Sequence, residues 1–170
     1  YLVISVAHTY SAAAVHFPDG SQAILASKIK NAFQGPKLLN SSMAVLKAET
    51  PADRKAARID WSSAECVIEL NKVWVDDTRV CLDKISQGEC QPAVDDLAAA
   101  GDFSRVGAFG MSFGGSCSAS VAQVDERIVA AINLDGGQAD NQLLNTQIRV
   151  PLLMLHSSTM PLNGGGGFND

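Results

Sequence analysis

Hydrophobic and polar positions along the chain fall into two patterns. Four short runs are apolar without alternation: Leu2–Val6, Arg105–Phe109, Val129–Leu134 and Val150–His156. Runs of this length, separated by helical stretches, predict parallel strands buried on both faces. The intervening segments are long enough for the crossovers that parallel neighbours need. The second pattern is helical and occupies about Ser21 to Gln87. Its clearest helix is predicted over Ser62–Gln87, where Val67, Leu70, Trp74, Cys81 and Ile85 form one apolar stripe. Ser62 with Glu65 three residues on forms a capping box, and Gly88 is placed to end the helix. The stripe reads as packing against the sheet, with no cofactor role. Weaker helical signals cover Ala23–Phe33 and Met43–Lys47, punctuated by Gln34–Pro36 and Thr50–Pro51. The 21–60 segment is therefore a candidate lid or pocket-shaping element. No internal repeat is visible, and the glycine run Gly164–Gly167 is predicted to be mobile.

Composition narrows the function classes. At 46% hydrophobic and 18% charged, the chain can bury a core. Its net charge of −5 argues against a nucleic-acid partner or a polybasic membrane surface. No apolar run approaches the roughly 20 residues of a membrane helix, so no integral membrane segment is expected. The predicted strand at Leu2 comes with no leader ahead of it, which predicts a processed end or a piece of a longer chain.

The strongest chemical signal is Gly110-Met111-Ser112-Phe113-Gly114, a G-x-S-x-G nucleophile elbow between a β-run and a helix of small residues, Gly115–Ala119. In such an elbow the serine sits in a strained turn that lifts its hydroxyl above the strand ends. Side chains at 110 and 114 are expected to collide with the neighbouring strand and helix, hence two glycines. Ser112 is the candidate nucleophile; the plain alternative is a glycine-rich turn. A serine needs a base, and the base needs an orienting carboxylate. Asp135, at the end of the Val129–Leu134 run, is the candidate acid, since the separation from Ser112 accommodates one helix and one returning strand. Its alternative role is to start a turn. The tract after His156 offers no carboxylate before Asp170. The backbone N–H of Phe113 is the candidate oxyanion donor; no earlier His-Gly or Gly-Gly segment supplies a second.

The base is harder to place. The chain has three histidines, His8, His16 and His156. His156 alone follows Asp135, but at a strand end, where a packed or turn-bonded ring is the commoner reading. His8 closes the first predicted strand at the same sheet edge and is a candidate pocket-lining residue. His16 lies in a loop with no further argument.

These residues resemble the platelet-activating-factor acetylhydrolase-like α/β-hydrolases. The resemblance rests on the elbow Gly110–Gly115, Asp135 one strand later, the Trp61–Ile85 helix, and a first run that ends in His8. It spans most of the chain, to about Ser157. It implies an α/β-hydrolase fold, a mostly parallel sheet with flanking helices, of which residues 1–170 are the central part with about four strands. It implies Ser112 as nucleophile, Asp135 as triad acid and the Phe113 amide as oxyanion donor. The catalytic histidine would then lie beyond Asp170, and the second oxyanion donor before Tyr1. The implied activity is that of a serine esterase or lipase cleaving short-chain carboxylic esters, including phospholipid acetyl esters, without metal or cofactor. A lactone or polyester hydrolase of the same fold, and a non-catalytic binding domain that kept the elbow, are the alternatives.

The cysteines Cys66, Cys81, Cys90 and Cys117 bear on localisation. Cys81 and Cys90 flank the helix end at Gly88, so a disulfide there would favour a secreted or exocytoplasmic home over a cytoplasmic one. Cys66 and Cys117 read as small core residues. No Cys/His spacing suggests zinc.

Overall fold

The computed structural model describes residues 2–139 and 146–156; the glycine run Gly164–Gly167 and the tract from Ser157 lie outside the described residues. Three of the four apolar runs become the strands β3 (Val106–Met111), β4 (Ile128–Leu134) and β5 (Leu152–Leu155), in a parallel sheet of order β3-β4-β5. The result is a mixed helix/strand chain with a small parallel sheet and flanking helices. The fourth run, Leu2–Val6, joins no ladder, and Leu2, Val3 and Ile4 are exposed. An apolar run becomes a strand only by pairing, and no described strand pairs with it. The chain instead forms a short antiparallel hairpin, β1 (Ala14–His16) with β2 (Gln22–Ile24), so Ala23 lies in a strand rather than a helix.

Residues 27–86 form four helices. They are α1 (Ser27–Phe33), α2 (Pro36–Lys47), α3 (Pro51–Ser62) and α4 (Glu65–Ser86). Both prolines stand in the first turn of their helix, where the missing N–H costs nothing. The Thr50 hydroxyl caps α3 by accepting from the Asp53 N–H at 3.1 Å. The predicted capping box at Ser62 does not form. Ser62 is the last residue of α3 and donates to the Ile59 carbonyl, while extended Ala64 precedes α4. At the other end, Gly88 with φ +65 closes α4 as expected. The Glu89 N–H reaches the Lys84 carbonyl and the Gly88 N–H the Ile85 carbonyl, a Schellman closure. A short α5 (Pro92–Ala98) precedes β3, and α6 (Phe113–Val124) connects β3 to β4.

The core lies between α4, α6 and one face of the sheet. Val75 and Leu82 of α4 meet Cys117, Val121 and Ala122 of α6 over Ile128 and Ala131. Helix α6 buries an unbroken stretch from Gly115 to Ala122, all of it small or β-branched, so α6 lies close upon the sheet. The opposite face is open, against the expectation of strands buried on both sides. Phe109 and Met111 are 63% and 73% exposed, and Val129, Leu153 and Leu155 are exposed with them. The reason is that α4 and α6 share one side, and among the described residues no helix shields the other.

Candidate active site

Ser112 sits at the turn from β3 to α6 with φ 54 and ψ −122, a conformation that costs a non-glycine residue about 1–3 kcal/mol. Its neighbours over-determine it. The Ser112 N–H donates to the Leu134 carbonyl at 2.8 Å, and its carbonyl accepts from Gly115 and Ser116 at 3.0 and 3.2 Å. A side chain on Gly110 would meet the Gly114 carbonyl carbon at 2.4 Å, so the backbone crosses itself there as the motif predicts. Gly114, expected to be crowded, is not: a Cβ there meets nothing within 4 Å. The crowded second glycine is Gly115, whose Cβ would lie 2.2 Å from the Asn133 Oδ1.

Asp135 occupies the same edge of the sheet. Strand register aligns Met111 with Leu134 and Leu134 with Leu155. The next residue of each strand is Ser112, Asp135 and His156, and the ladder runs on through the Asp135 N–H to the Leu155 carbonyl at 2.7 Å. Asp135 has φ 56, a left-handed conformation that aspartate tolerates. The structure thus brings the candidate nucleophile and the candidate acid to adjacent strand ends, where sites form in open parallel sheets.

His156 Nδ1 lies 3.8 Å from Asp135 Oδ1, with both side chains about a quarter exposed. The strand order places Asp135 between Ser112 and His156. His156 thus stands one strand beyond Asp135, with its ring near that carboxylate. His16 ends β1 and is exposed.

His8 lies elsewhere than at a strand end. Its Nδ1 bonds the Asp77 Oδ2 at 2.9 Å, and its ring stacks on Trp74 with centroids 4.0 Å apart. Trp74 meets the edge of Phe113 at 5.0 Å, and Phe113 meets Phe33 of α1 at 6.1 Å. His8 therefore reaches the Ser112 turn through two aromatic rings. Phe113 opens α6, so its N–H belongs to the first turn, whose amides lack intrahelical acceptors and carry the positive end of the helix dipole.

The helical segment also touches this turn. Leu38, Ala64, Val67 and Ala139 form a second core cluster, against which Phe33, Trp61, Cys66 and Phe113 pack. A cavity of about 210 Å³ lies between α1, α2 and the start of α4, lined by Ala32, Lys37, Leu38, Ala64, Glu65 and Cys66.

All four cysteines are free thiols, so the Cys81–Cys90 pairing that the helix end would permit is not formed. Burial, more than the nearby Asp77 or Cys90, pushes the Cys81 thiol up. Burial also pushes the Cys117 thiol up to about 11, against the Thr78 hydroxyl contact that lowers it. Cys117 is therefore a protonated core residue at neutral pH, unsuited to attack. Among the described residues no group of three or more His, Cys, Asp or Glu could hold a metal ion, and no helix is long and apolar enough to cross a membrane.

Sequence reasoning missed Asn133. Its side chain is fully buried in β4 and bonds both backbone groups of Gly136. The available signal was one amide in the otherwise apolar run Ile128–Leu134, two residues before Asp135. Comparison of the chain with protein-family models, with curated proteins and with solved structures finds no match, so any family assignment rests on the geometry and residues just described.

Proposed function

We propose that the chain is a serine hydrolase of short-chain carboxylic esters, built on the α/β-hydrolase fold and similar to the platelet-activating-factor acetylhydrolase-like enzymes. The observation that carries this reading is the strained Ser112 at a strand-to-helix turn, with Asp135 one strand away at the same edge. A non-glycine residue held at φ 54 marks a position where structure is committed to presenting a side chain.

In the proposed reaction the Ser112 Oγ attacks the ester carbonyl, and its proton passes to an imidazole oriented by Asp135. The oxyanion forms against the Phe113 N–H. The proton then goes to the departing alkoxide, leaving an acyl group on Ser112. Water, deprotonated by the same base, attacks the acyl carbon; the Oγ–acyl bond breaks, the proton passes from the base to Ser112 Oγ, and the carboxylic acid is released. Every step uses side chains and water, with neither metal nor cofactor required. The apolar cluster of Phe33, Trp61 and Leu38 around Phe113 suits a small acyl group or lipid ester.

The test is labelling by a fluorophosphonate, comparing the protein at its full natural length with its Ser112→Ala variant. Labelling of the former alone is expected, together with p-nitrophenyl acetate hydrolysis. Equal labelling of both, or of neither, overturns the catalytic reading in favour of a non-catalytic binding domain.

A further inference from the structure

We propose that Asn133 is a positioning residue that locks the turn carrying Asp135 onto the turn carrying Ser112. The inference rests on those two residues being acid and nucleophile.

Asn133 is fully buried in an otherwise apolar strand, where an amide costs free energy unless its hydrogen bonds are made. Two of them go to one residue. The Gly136 N–H donates to Asn133 Oδ1 at 2.9 Å, and Asn133 Nδ2 donates to the Gly136 carbonyl at 3.2 Å. The carboxamide thus holds both polar groups of the residue after Asp135 and closes the turn in which Asp135 stands at φ 56. On its other side the same oxygen lies against Gly115 in the first turn of α6. Gly136 in turn approaches the Ser112 carbonyl so closely that a Cβ would lie 2.2 Å from it. One side chain therefore touches both turns, and glycine at 115 and 136 is what lets it.

The loop beyond Asp135 is tied to α6 by the same means. The Ala139 N–H donates to the Ser116 hydroxyl at 2.7 Å. Ser120 accepts from Gln138 at 3.4 Å and from Asn71 of α4 at 2.9 Å. Leucine at 133 would suit the strand and the core; an amide there serves the Gly136 turn. Without it, Gly136 loses both partners in a buried place, and the strained Asp135 turn loses the contact that holds it.

The experiment measures kcat and KM for p-nitrophenyl acetate in the full chain, in Asn133→Ala, in Asp135→Asn and in the double variant. Asn133→Ala is expected to lower kcat about 10- to 100-fold with KM nearly unchanged, the scale of a small misplacement of a reacting group. In the Asp135→Asn background the same substitution is expected to cost under about twofold, because it acts through that carboxylate. Asn133→Asp supplies a second readout if the alanine variant does not fold. A protonated carboxyl accepts from the Gly136 N–H and donates to its carbonyl, whereas an ionised one cannot donate. Its activity is therefore expected to fall with rising pH where the parent chain's does not. Unchanged kcat in Asn133→Ala, equal losses in both backgrounds, or a parent-like pH profile in Asn133→Asp overturns the inference. A parent chain that is inactive and unlabelled at Ser112 overturns the underlying assignment, a failure visible before any Asn133 variant is made.

Discussion

The two ends of the parallel sheet are built by opposite rules. Where the strands end, Ser112 and Asp135 are held at positive φ, and glycines crowd an amide between them. Where β4 begins, beside a register shift at Val106/Gly107, no described residue stands at positive φ and charge holds the corner. Asp125, 5% exposed, is gripped by Arg127 at 2.6 Å and faced by Arg79 at 3.6 Å; Arg127 also reaches Asp83 at 2.8 Å. Arg149 donates to the Ala122 and Asp125 carbonyls and ties the approach to β5 into the same corner. Hydrogen bonding by Arg127, above all, holds the Asp125 carboxyl below its ordinary range. One end spends stability on strained geometry and the other supplies it, as expected where a site is carried on an otherwise consistent fold.

The comparison breaks if activity and stability do not separate by end. The largest effect is expected for Asp135→Asn, which keeps the left-handed turn but should lower kcat about 10³- to 10⁴-fold with little change in melting temperature. A loss under tenfold would remove Asp135 from the relay. Next comes Gly136→Ala, whose methyl would lie 2.2 Å from the Ser112 carbonyl and 2.4 Å from the Asn133 Oδ1. It should cost about 1–3 kcal/mol of stability and also lower kcat. Unfolding in denaturant together with a kcat measurement checks both.

At the opposite end, Arg127→Ala should cost about 2 kcal/mol with kcat unchanged, by leaving Asp125 with weaker partners. The pH dependence has a definite sign. Because the folded-state pKa of Asp125 is depressed, its contribution is present above the unfolded value near 3.9 and lost as pH falls through the folded one. The parent chain should therefore lose stability on acidification below about pH 4 more steeply than Arg127→Ala. Parallel acid titrations of the two would break that assignment. The smallest effect sharpens the elbow itself: Gly114→Ala, with open space around the added carbon, should gain about 0.5 kcal/mol by stiffening the unfolded chain. A loss of stability there would restore the steric argument first made for that glycine.

What was legible in the sequence was what local sterics demands. The elbow names Ser112 because few residue sets permit a strand to turn so sharply into a helix, and β3, β4 and β5 follow from apolar runs that find partners in one another. Leu2–Val6 carries the same signal without a partner, and pairing is not a local property. Ser62 was misread because its hydroxyl has two local choices, the helix behind it and the helix ahead. The structure takes the first. The bare sheet face was illegible because an apolar run states that cover is wanted, not which segment provides it. Asn133 was overlooked since its partner, Gly136, is recognisable only once the turn around Asp135 has formed.

The stack of His8 on Trp74 makes the chain its own optical gauge. The indole that stacks on the His8 ring also touches the first residue of α6, so one ring is in contact with both. With Trp61 as the second of two tryptophans, a Trp61→Phe background leaves a single emitter. Its intensity would follow any shift of α6 against Trp74 without a label of any kind.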